Sequence, residues 1–385
     1  MPIDNDLEMF TMCMDMDDSD LHTYRREPQV WVTTALRRKK VEVSLKKCTA
    51  EEVGKFTVAK SAELKQWMIT EAVRRAKREG IPPSSLMRMR WLLTWKDGGT
   101  RAKARLVVLG FTDPHLLDLR TDAPTCSRRG KHLFLLKTAQ LGFKLEKGDI
   151  SSAFLQSGNT QEAREVFAEP VPELTELMQL GKDEVVQILN ATYGLTVAPR
   201  EFYLHFAKTM ESIGAQEMKA EPCLYVVREG PKIVGMVSQY VDDVMVSGDV
   251  NNATFQKVQR DFRAAYRWGG WESEKFVQCG VEINQVGDTI TLCQHQYGLN
   301  LETMEVHKAR KNNPEAPLTE RERSQLRGIC GAGQWIGTQS PLGTGESFSP
   351  SRSSSDGYRQ RHRGGKQDRQ GHPRALRHTH HLPEA

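Results

Sequence analysis

The sequence predicts an α+β fold, and three observations indicate this class. Short apolar segments that end at turn residues, as the strands of β-hairpins do, occur at residues 91–109 and 233–246. Apolar side chains also recur at helical spacing in residues 60–79 and 199–213. At 385 residues, the chain is long enough to bury a sizeable core in two or three domains or subdomains.

The first elements are a lead-in and a helix. Residues 1–55 show no sustained hydrophobic period, and we expect a poorly ordered, acidic lead-in. Residues 60–79 predict an amphipathic helix, because Leu64, Trp67 and Met68 follow at i, i+3, i+4 spacing. The Gly-Ile-Pro-Pro segment that follows would end this helix.

Strand patterns come next. Residues 91–96 and 100–109, joined by Asp-Gly-Gly, predict a β-hairpin. Side chains then alternate from Phe143 toward Asp149, as they do along a strand. Pro199 begins a predicted helix whose apolar side chains recur every three or four residues until a glycine ends it. Val286-Gly287-Asp288 predicts the turn of a later hairpin.

An acidic pair lies between two apolar segments, in Tyr240-Val241-Asp242-Asp243. Adjacent ionised carboxylates raise each other's pKa unless a cation lies between them. Oxygen ligands of this kind suit Mg²⁺ or Mn²⁺. Turns are rich in aspartate for purely local reasons, so the pair taken alone favours an ordinary turn.

The acidic pair is accompanied by further segments that together resemble the reverse transcriptase of Ty1/copia-type retrotransposons, part of a retrovirus-related Pol polyprotein. The resemblance extends over roughly residues 60–339. The segments that carry it are, in chain order, residues 91–111, 148–155, 193–200, 221–225, 240–243, 276–297 and 326–337.

The resemblance implies an RNA-directed DNA polymerase with a right-hand fold. Residues 56–339 would form the fingers, an antiparallel-sheet palm and a partial thumb. Asp149 and Asp242 would be the principal ligands of two Mg²⁺ ions, or of Mn²⁺, and Asp243 would support them. Two such ions activate an attacking hydroxyl and stabilise the leaving oxygens in nucleotidyl transfer.

Basic side chains alternate along one predicted strand at Arg101, Lys103 and Arg105, so they share one face. An edge strand protected by charge would show the same pattern. The resemblance implies instead that Lys103 and Arg105 bind the incoming deoxynucleoside triphosphate.

Phe154, five residues after Asp149, has two interpretations. The resemblance implies an aromatic ring beneath the sugar of the incoming nucleotide, which would exclude a 2′-hydroxyl sterically. The alternative is an ordinary core phenylalanine next to Leu155.

One departure from the family pattern favours a second function. After Tyr-Gly-Leu the family usually has Lys-Gln, whereas this chain has Thr196-Val197, and valine cannot replace the hydrogen-bonding amide. The alternative hypothesis is therefore a catalytically decayed copy that only binds RNA–DNA hybrid. A third, less favoured, is an unrelated α/β protein that uses the acidic turn for Mg²⁺.

The net positive charge is unevenly distributed along the chain. Most of the net charge of +5 lies after residue 340, where seven Arg and one Lys face four acids. Residues 340–385 predict a disordered, low-complexity basic tail, which a frameshift or a mispredicted gene end would explain. The resemblance, rather than the net charge, implies an RNA or DNA template-primer and deoxynucleoside triphosphates as partners, with integrase and RNase H absent from this chain.

The expected location is the cytoplasm or the nucleus. Seven unpatterned cysteines fit a reducing compartment. We expect no membrane association, since no apolar segment approaches the roughly 20 residues of a span.

Overall fold

A computed structural model describes residues 42–158, 164–301, 312–313 and 316–339. The chain forms two compact units, residues 1–292 and 293–385, which we describe separately. The predicted tail at 340–385 and most of the predicted lead-in lie outside the described residues.

Strands and α-helices have the following bounds within the described residues. The strands are β1 (Val73–Lys77), β2 (Leu86–Lys96), β3 (Arg101–Val108), β4 (Lys144–Ile150), β5 (Val166–Glu169), β6 (Glu184–Ile188), β7 (Ala215–Met218), β8 (Glu221–Glu229), β9 (Lys232–Tyr240), β10 (Asp243–Gly248), β11 (Trp268–Ser273), β12 (Lys275–Gln278), β13 (Val281–Val286) and β14 (Thr289–Cys293). The α-helices are α1 (Ala50–Ile69), α2 (Arg128–Gln140), α3 (Pro172–Met178), α4 (Ala198–Ser212), α5 (Ala253–Ala265), α6 (His295–Leu299) and α7 (Glu320–Gln339).

The first helix differs from the prediction at both ends. It begins at Ala50 because Thr49 and Glu52 form a capping box, in which each side chain accepts a hydrogen bond from the backbone N–H of the other. It ends at Ile69, and Glu71, with φ 51°, turns the chain into β1. The predicted bounds of 60–79 are therefore wrong, and the helix extends into the predicted lead-in.

A five-stranded sheet has the order β1-β6-β5-β2-β3. Its pairs are antiparallel except β2 with β5. The predicted hairpin is confirmed as β2–β3, in which Leu92 lies opposite Arg105. Helix α1 packs on this hairpin through Phe56, which is buried with Leu93 and Ala104. The sheet and helix thus hold the basic side chains of β3 on a rigid support.

A six-stranded antiparallel sheet has the order β11-β4-β10-β9-β8-β7. Phe202 and Phe206 of α4 and Phe262 of α5 belong to one core cluster with residues of this sheet. Helix α2 contributes Phe134 to a second cluster that includes residues of β4, β10 and the three-stranded sheet β12-β13-β14. The predicted α+β class is confirmed, with β4 and the β9–β10 hairpin at the centre of this larger sheet.

The second unit contains α6 and α7. Helix α7 follows a capping box in which Glu322 accepts hydrogen bonds from the Thr319 backbone and hydroxyl, and donates its own N–H to Thr319 Oγ1. Within the described residues, no helix combines the length and apolar character that crossing a membrane would need.

Candidate active site

The acidic pair lies at a two-residue turn, as predicted. Asp243 pairs with Tyr240, so Val241 and Asp242 form the connection between β9 and β10. Val241 has φ 57°, a left-handed conformation that a β-branched residue rarely adopts and that costs about 1–3 kcal/mol. Gln239 Nε2 donates a hydrogen bond of 3.3 Å to the Val241 carbonyl. Backbone strain of this kind clusters at functional sites, and here it lies directly before Asp242.

The distant Asp149 reaches the same end of the sheet. It lies directly opposite Asp243 in the β4–β10 ladder. The ladder is extended by a hydrogen bond of 3.0 Å from the Ile150 N–H to the Asp242 carbonyl. The structure therefore brings together the three aspartates that the sequence predicts.

The three carboxylates are electrostatically coupled. Asp242 is exposed at the apex of the turn, but the protein around it reduces the hydration of its carboxylate. This loss of hydration, reinforced by the charges of Asp243 and Asp149, raises the pKa of Asp242 to about 7, while the charge of Arg105 opposes the shift. Burial also raises the pKa of Asp243, an effect that Lys147 opposes. Such a site attracts a cation.

The residues present fit a divalent cation through two carboxylates rather than three. Among the described residues, no group of three or more His, Cys, Asp or Glu side chains is arranged to hold a metal ion. Asp243 instead forms an ion pair of 3.2 Å with Lys147 Nζ. Asp149 and Asp242 would then be the candidate oxygen ligands, since Mg²⁺ is commonly held by one or two carboxylates together with water and substrate phosphates.

Strand β11 packs closely against Asp149, a feature that the sequence pattern did not reveal. A Cβ atom added to Gly269 would lie 2.6 Å from Asp149 Oδ2, so a larger residue here would displace this carboxylate from its position. The ladder registers shift between Trp268 and Gly270, as at a β-bulge. Adjacent glycines inside a strand are the signal that would have indicated this close approach.

Arg105 is buried, with 9% of its surface exposed, and its guanidinium lies 5.4 Å from the ring centroid of Tyr193. The positive charge of Arg105 interacts with Asp242 and lowers the pKa of that carboxyl, opposite to the effect of lost hydration. Sequence reasoning assigned Arg105 to the site but gave no role to Tyr193.

The Tyr-Gly motif positions this aromatic ring. The Tyr193 carbonyl accepts a hydrogen bond of 2.9 Å from Val108 N, at the end of β3. Gly194 has φ +94°, and a Cβ atom there would lie 2.0 Å from the Val108 carbonyl oxygen. Gly194 thus permits the contact that fixes Tyr193 relative to the strand that carries Arg105.

The other two basic residues of β3 have different surroundings. Arg101 is exposed and forms an ion pair of 2.7 Å with Asp97. Lys103 is partly exposed, and its charge opposes the pKa rise that burial causes at Glu63 of α1. The predicted nucleotide-binding role of Lys103 stays a prediction.

Phe154 is buried, with 6% of its surface exposed, in the 3₁₀ segment Ala153–Gln156. Its ring meets those of Tyr193 and Phe202 edge to face, at centroid distances of 5.2 and 6.0 Å. It is therefore a core residue in contact with the ring that underlies Arg105. The predicted exclusion of ribonucleotides by this side chain stays a prediction.

Comparison with known families identifies the class of protein. Residues 83–316 match the family described as reverse transcriptase (RNA-dependent DNA polymerase). Because the match spans more than half of the chain, the chain belongs to this family.

The curated relatives are transposon polyproteins. The chain is 29% identical over 227 residues to the retrovirus-related Pol polyprotein from transposon RE2 of Arabidopsis thaliana, covering 57% of this chain and 15% of the relative. It is 27% identical over 282 residues to that from RE1 of the same plant, covering 68% and 18%. It is 32% identical over 168 residues to that from TNT 1-94 of Nicotiana tabacum, covering 42% and 12%.

These matches confirm the predicted copia-type reverse transcriptase, although the chain spans less than a fifth of each relative's length. A solved foamy viral protease-reverse transcriptase in complex with double-stranded DNA is 13% identical, with a TM-score of 0.39, covering 73% of this chain and 40% of that one. A likeness at this level carries no conclusion about the present chain.

Proposed function

We propose that this chain extends a DNA primer on an RNA or DNA template by transferring nucleotides from deoxynucleoside triphosphates. The observation that carries the proposal is the register of β4 and β10, which sets Asp149 opposite Asp243 and joins Ile150 to Asp242 by a hydrogen bond. It concentrates negative charge at one sheet end, within electrostatic reach of Arg105.

Asp149 and Asp242 would hold the metal. Two bound Mg²⁺ ions, or Mn²⁺, would supply activation of the primer 3′-hydroxyl and stabilisation of the leaving pyrophosphate. The constrained Val241 turn and the close approach of Gly269 would restrict the positions of these two carboxylates. Binding requires both to be ionised, and the raised pKa of Asp242 makes its ionisation depend on pH near neutrality.

Arg105 would bind the triphosphate. Its guanidinium is buried over Tyr193, so its side chain is ordered before the ligand arrives and loses little entropy on binding. Lys103 lies two residues away on the same strand and would add a second positive charge. Phe154, in contact with Tyr193, would limit the space below the sugar.

Extension of oligo(dT) on poly(rA) by the purified chain with Mg²⁺ tests this proposal. We expect template-dependent extension that EDTA abolishes. Hybrid binding without extension would instead favour a decayed copy that only binds RNA–DNA hybrid. Val197 is the observation that favours this second candidate, because it is buried in the core with 8% exposed and offers no amide to a nucleotide.

A further inference from the structure

Lys147 connects three strands beside the acidic site. Its Nζ lies 3.2 Å from Asp243 Oδ1 in β10 and 3.5 Å from Glu272 Oε1 in β11. It also donates a hydrogen bond of 3.0 Å to the Val277 carbonyl in β12. A lysine ammonium has three donors, and three acceptors surround this one. The side chain is 13% exposed, so it is held in place rather than free in solvent.

The sheet register imposes this arrangement. Lys147 precedes Asp149 by two residues, so both side chains are on the same face of β4. Because Asp149 lies opposite Asp243, Lys147 is the diagonal neighbour of Asp243. Glu272 lies directly opposite Lys147 on the other side. A long cationic side chain at position 147 therefore reaches Asp243 without distortion of the backbone.

The ion pair distinguishes Asp243 from the other two aspartates. Within the described part of the chain, Asp243 is the member of the three that forms an ion pair with a basic side chain. A carboxylate oxygen engaged with an ammonium group is a poor ligand for a second cation, since the two cations repel each other. Asp149 and Asp242 are left as the pair that can share a metal.

We propose that Lys147 is a positioning residue that keeps Asp243 out of the metal-binding pair, so that Asp149 and Asp242 alone set the geometry of the metal. This inference rests on the proposed function and adds a role for a side chain outside the three aspartates. Its consequence is specific: removal of Lys147 frees a carboxylate and removes a positive charge, so the site should bind metal more tightly in a less defined geometry. Removal of a lysine that only stabilised the fold would lower the melting temperature without any gain in metal affinity that depends on Asp243.

The test measures the affinity of the full-length purified chain for Mn²⁺. Electron paramagnetic resonance detects the free ion and thus gives the bound fraction. Lys147→Met should lower the Mn²⁺ dissociation constant about fivefold, because a nearby positive charge is lost and a ligand gained. Lys147→Arg keeps the charge and should stay within about twofold of the wild type. Lys257→Met is the matched control, because it removes a lysine that pairs with Asp261 within α5. It should leave the Mn²⁺ dissociation constant unchanged.

A double variant isolates the role of Asp243. Lys147→Met combined with Asp243→Asn leaves the local net charge as in the wild type and offers no additional carboxylate. Its affinity for Mn²⁺ should return to within about twofold of the wild-type value. Unchanged or weaker Mn²⁺ binding in folded Lys147→Met would overturn the inference.

Two outcomes separate the inference from the proposed function. If Asp242→Asn leaves Mn²⁺ binding unchanged, or the wild type binds none, the metal site itself is wrong and both proposals fail. If Asp242→Asn abolishes binding but Lys147→Met does not tighten it, only the role of Lys147 fails. Should Lys147→Met not fold, Asp243→Asn decides: we expect a smaller loss of affinity than for Asp242→Asn, and an equal loss would overturn the inference.

Discussion

Asp149 in β4 lies directly opposite Asp243 in β10, although 93 residues lie between them in the chain. Opposite positions on antiparallel strands bring like charges within a few ångströms, which destabilises a sheet unless a cation compensates. Lys147 compensates one of the two charges by pairing with Asp243. In the part of the chain that the structure describes, the carboxylates of Asp149 and Asp242 remain uncompensated by such a pair, and we propose that they hold the metal.

The raised pKa of Asp242 predicts that the difference in stability between the wild type and Asp242→Asn depends on pH. Its folded-state pKa of about 7 lies above the unfolded value, so the folded protein loses stability as the pH rises from about 4 through 7. Asp242→Asn carries no charge and escapes this loss. In EDTA, its melting temperature relative to the wild type should therefore rise across that window and remain higher at about pH 8.

Added Mg²⁺ should raise the melting temperature of the wild type above that of Asp242→Asn, because a ligand that binds only the folded wild type stabilises it. Thermal melts of both proteins over the pH series, with EDTA and then with Mg²⁺, measure the effect. A melting-temperature difference that is the same at every pH would show that Asp242 titrates normally.

Arg105→Gln should raise the KM for deoxynucleoside triphosphates roughly tenfold, since a buried guanidinium makes strong charge-assisted hydrogen bonds to phosphate. Arg101→Gln is the control on the same strand, because Arg101 is exposed and paired with Asp97. Steady-state extension kinetics at varied dTTP compare the two. Equal changes in KM would indicate a general effect of charge rather than a binding role for Arg105.

Phe154→Val should increase ribonucleotide incorporation relative to deoxynucleotide incorporation, as removal of a steric barrier would. Because Phe154 is buried, we also expect a loss of about 1–3 kcal/mol in the free energy of unfolding. Phe202→Val is the control, since Phe202 is a buried neighbour of Phe154 and should destabilise the fold without changing the ratio. If both variants leave the ratio unchanged, Phe154 is a core residue only.

The acidic hairpin and β4 were predictable because their signals are local. Alternation toward Asp149 and the apolar segments on both sides of Asp242 predict strands, and a turn fixes which strands are neighbours. The family resemblance then supplied the pairing of the two acidic segments. Helix α1 was misplaced because its cap, Thr49 with Glu52, precedes the apolar stripe by more than two turns.

The surroundings of Lys147 and Arg105 were not predictable from local patterns. Glu272 and Val277 meet Lys147 only because β11 and β12 return to β4 more than 120 residues later in the chain. Tyr193 lies under Arg105 because Gly194 packs against the end of β3, a contact between distant segments. A glycine motif indicates that a close approach exists, but it does not identify the partner.

The most direct measurement of the central claim compares primer extension by the wild type, Asp242→Asn and Asp261→Asn. Asp261 is a partly exposed aspartate of α5 paired with Lys257, and its substitution should leave extension and hybrid affinity intact. Loss of the Asp242 carboxylate should lower extension on poly(rA)/oligo(dT) by at least about a hundredfold, with hybrid affinity within about threefold, because the chemistry and not the binding depends on this charge. Near-normal extension by a folded Asp242→Asn variant would contradict the account.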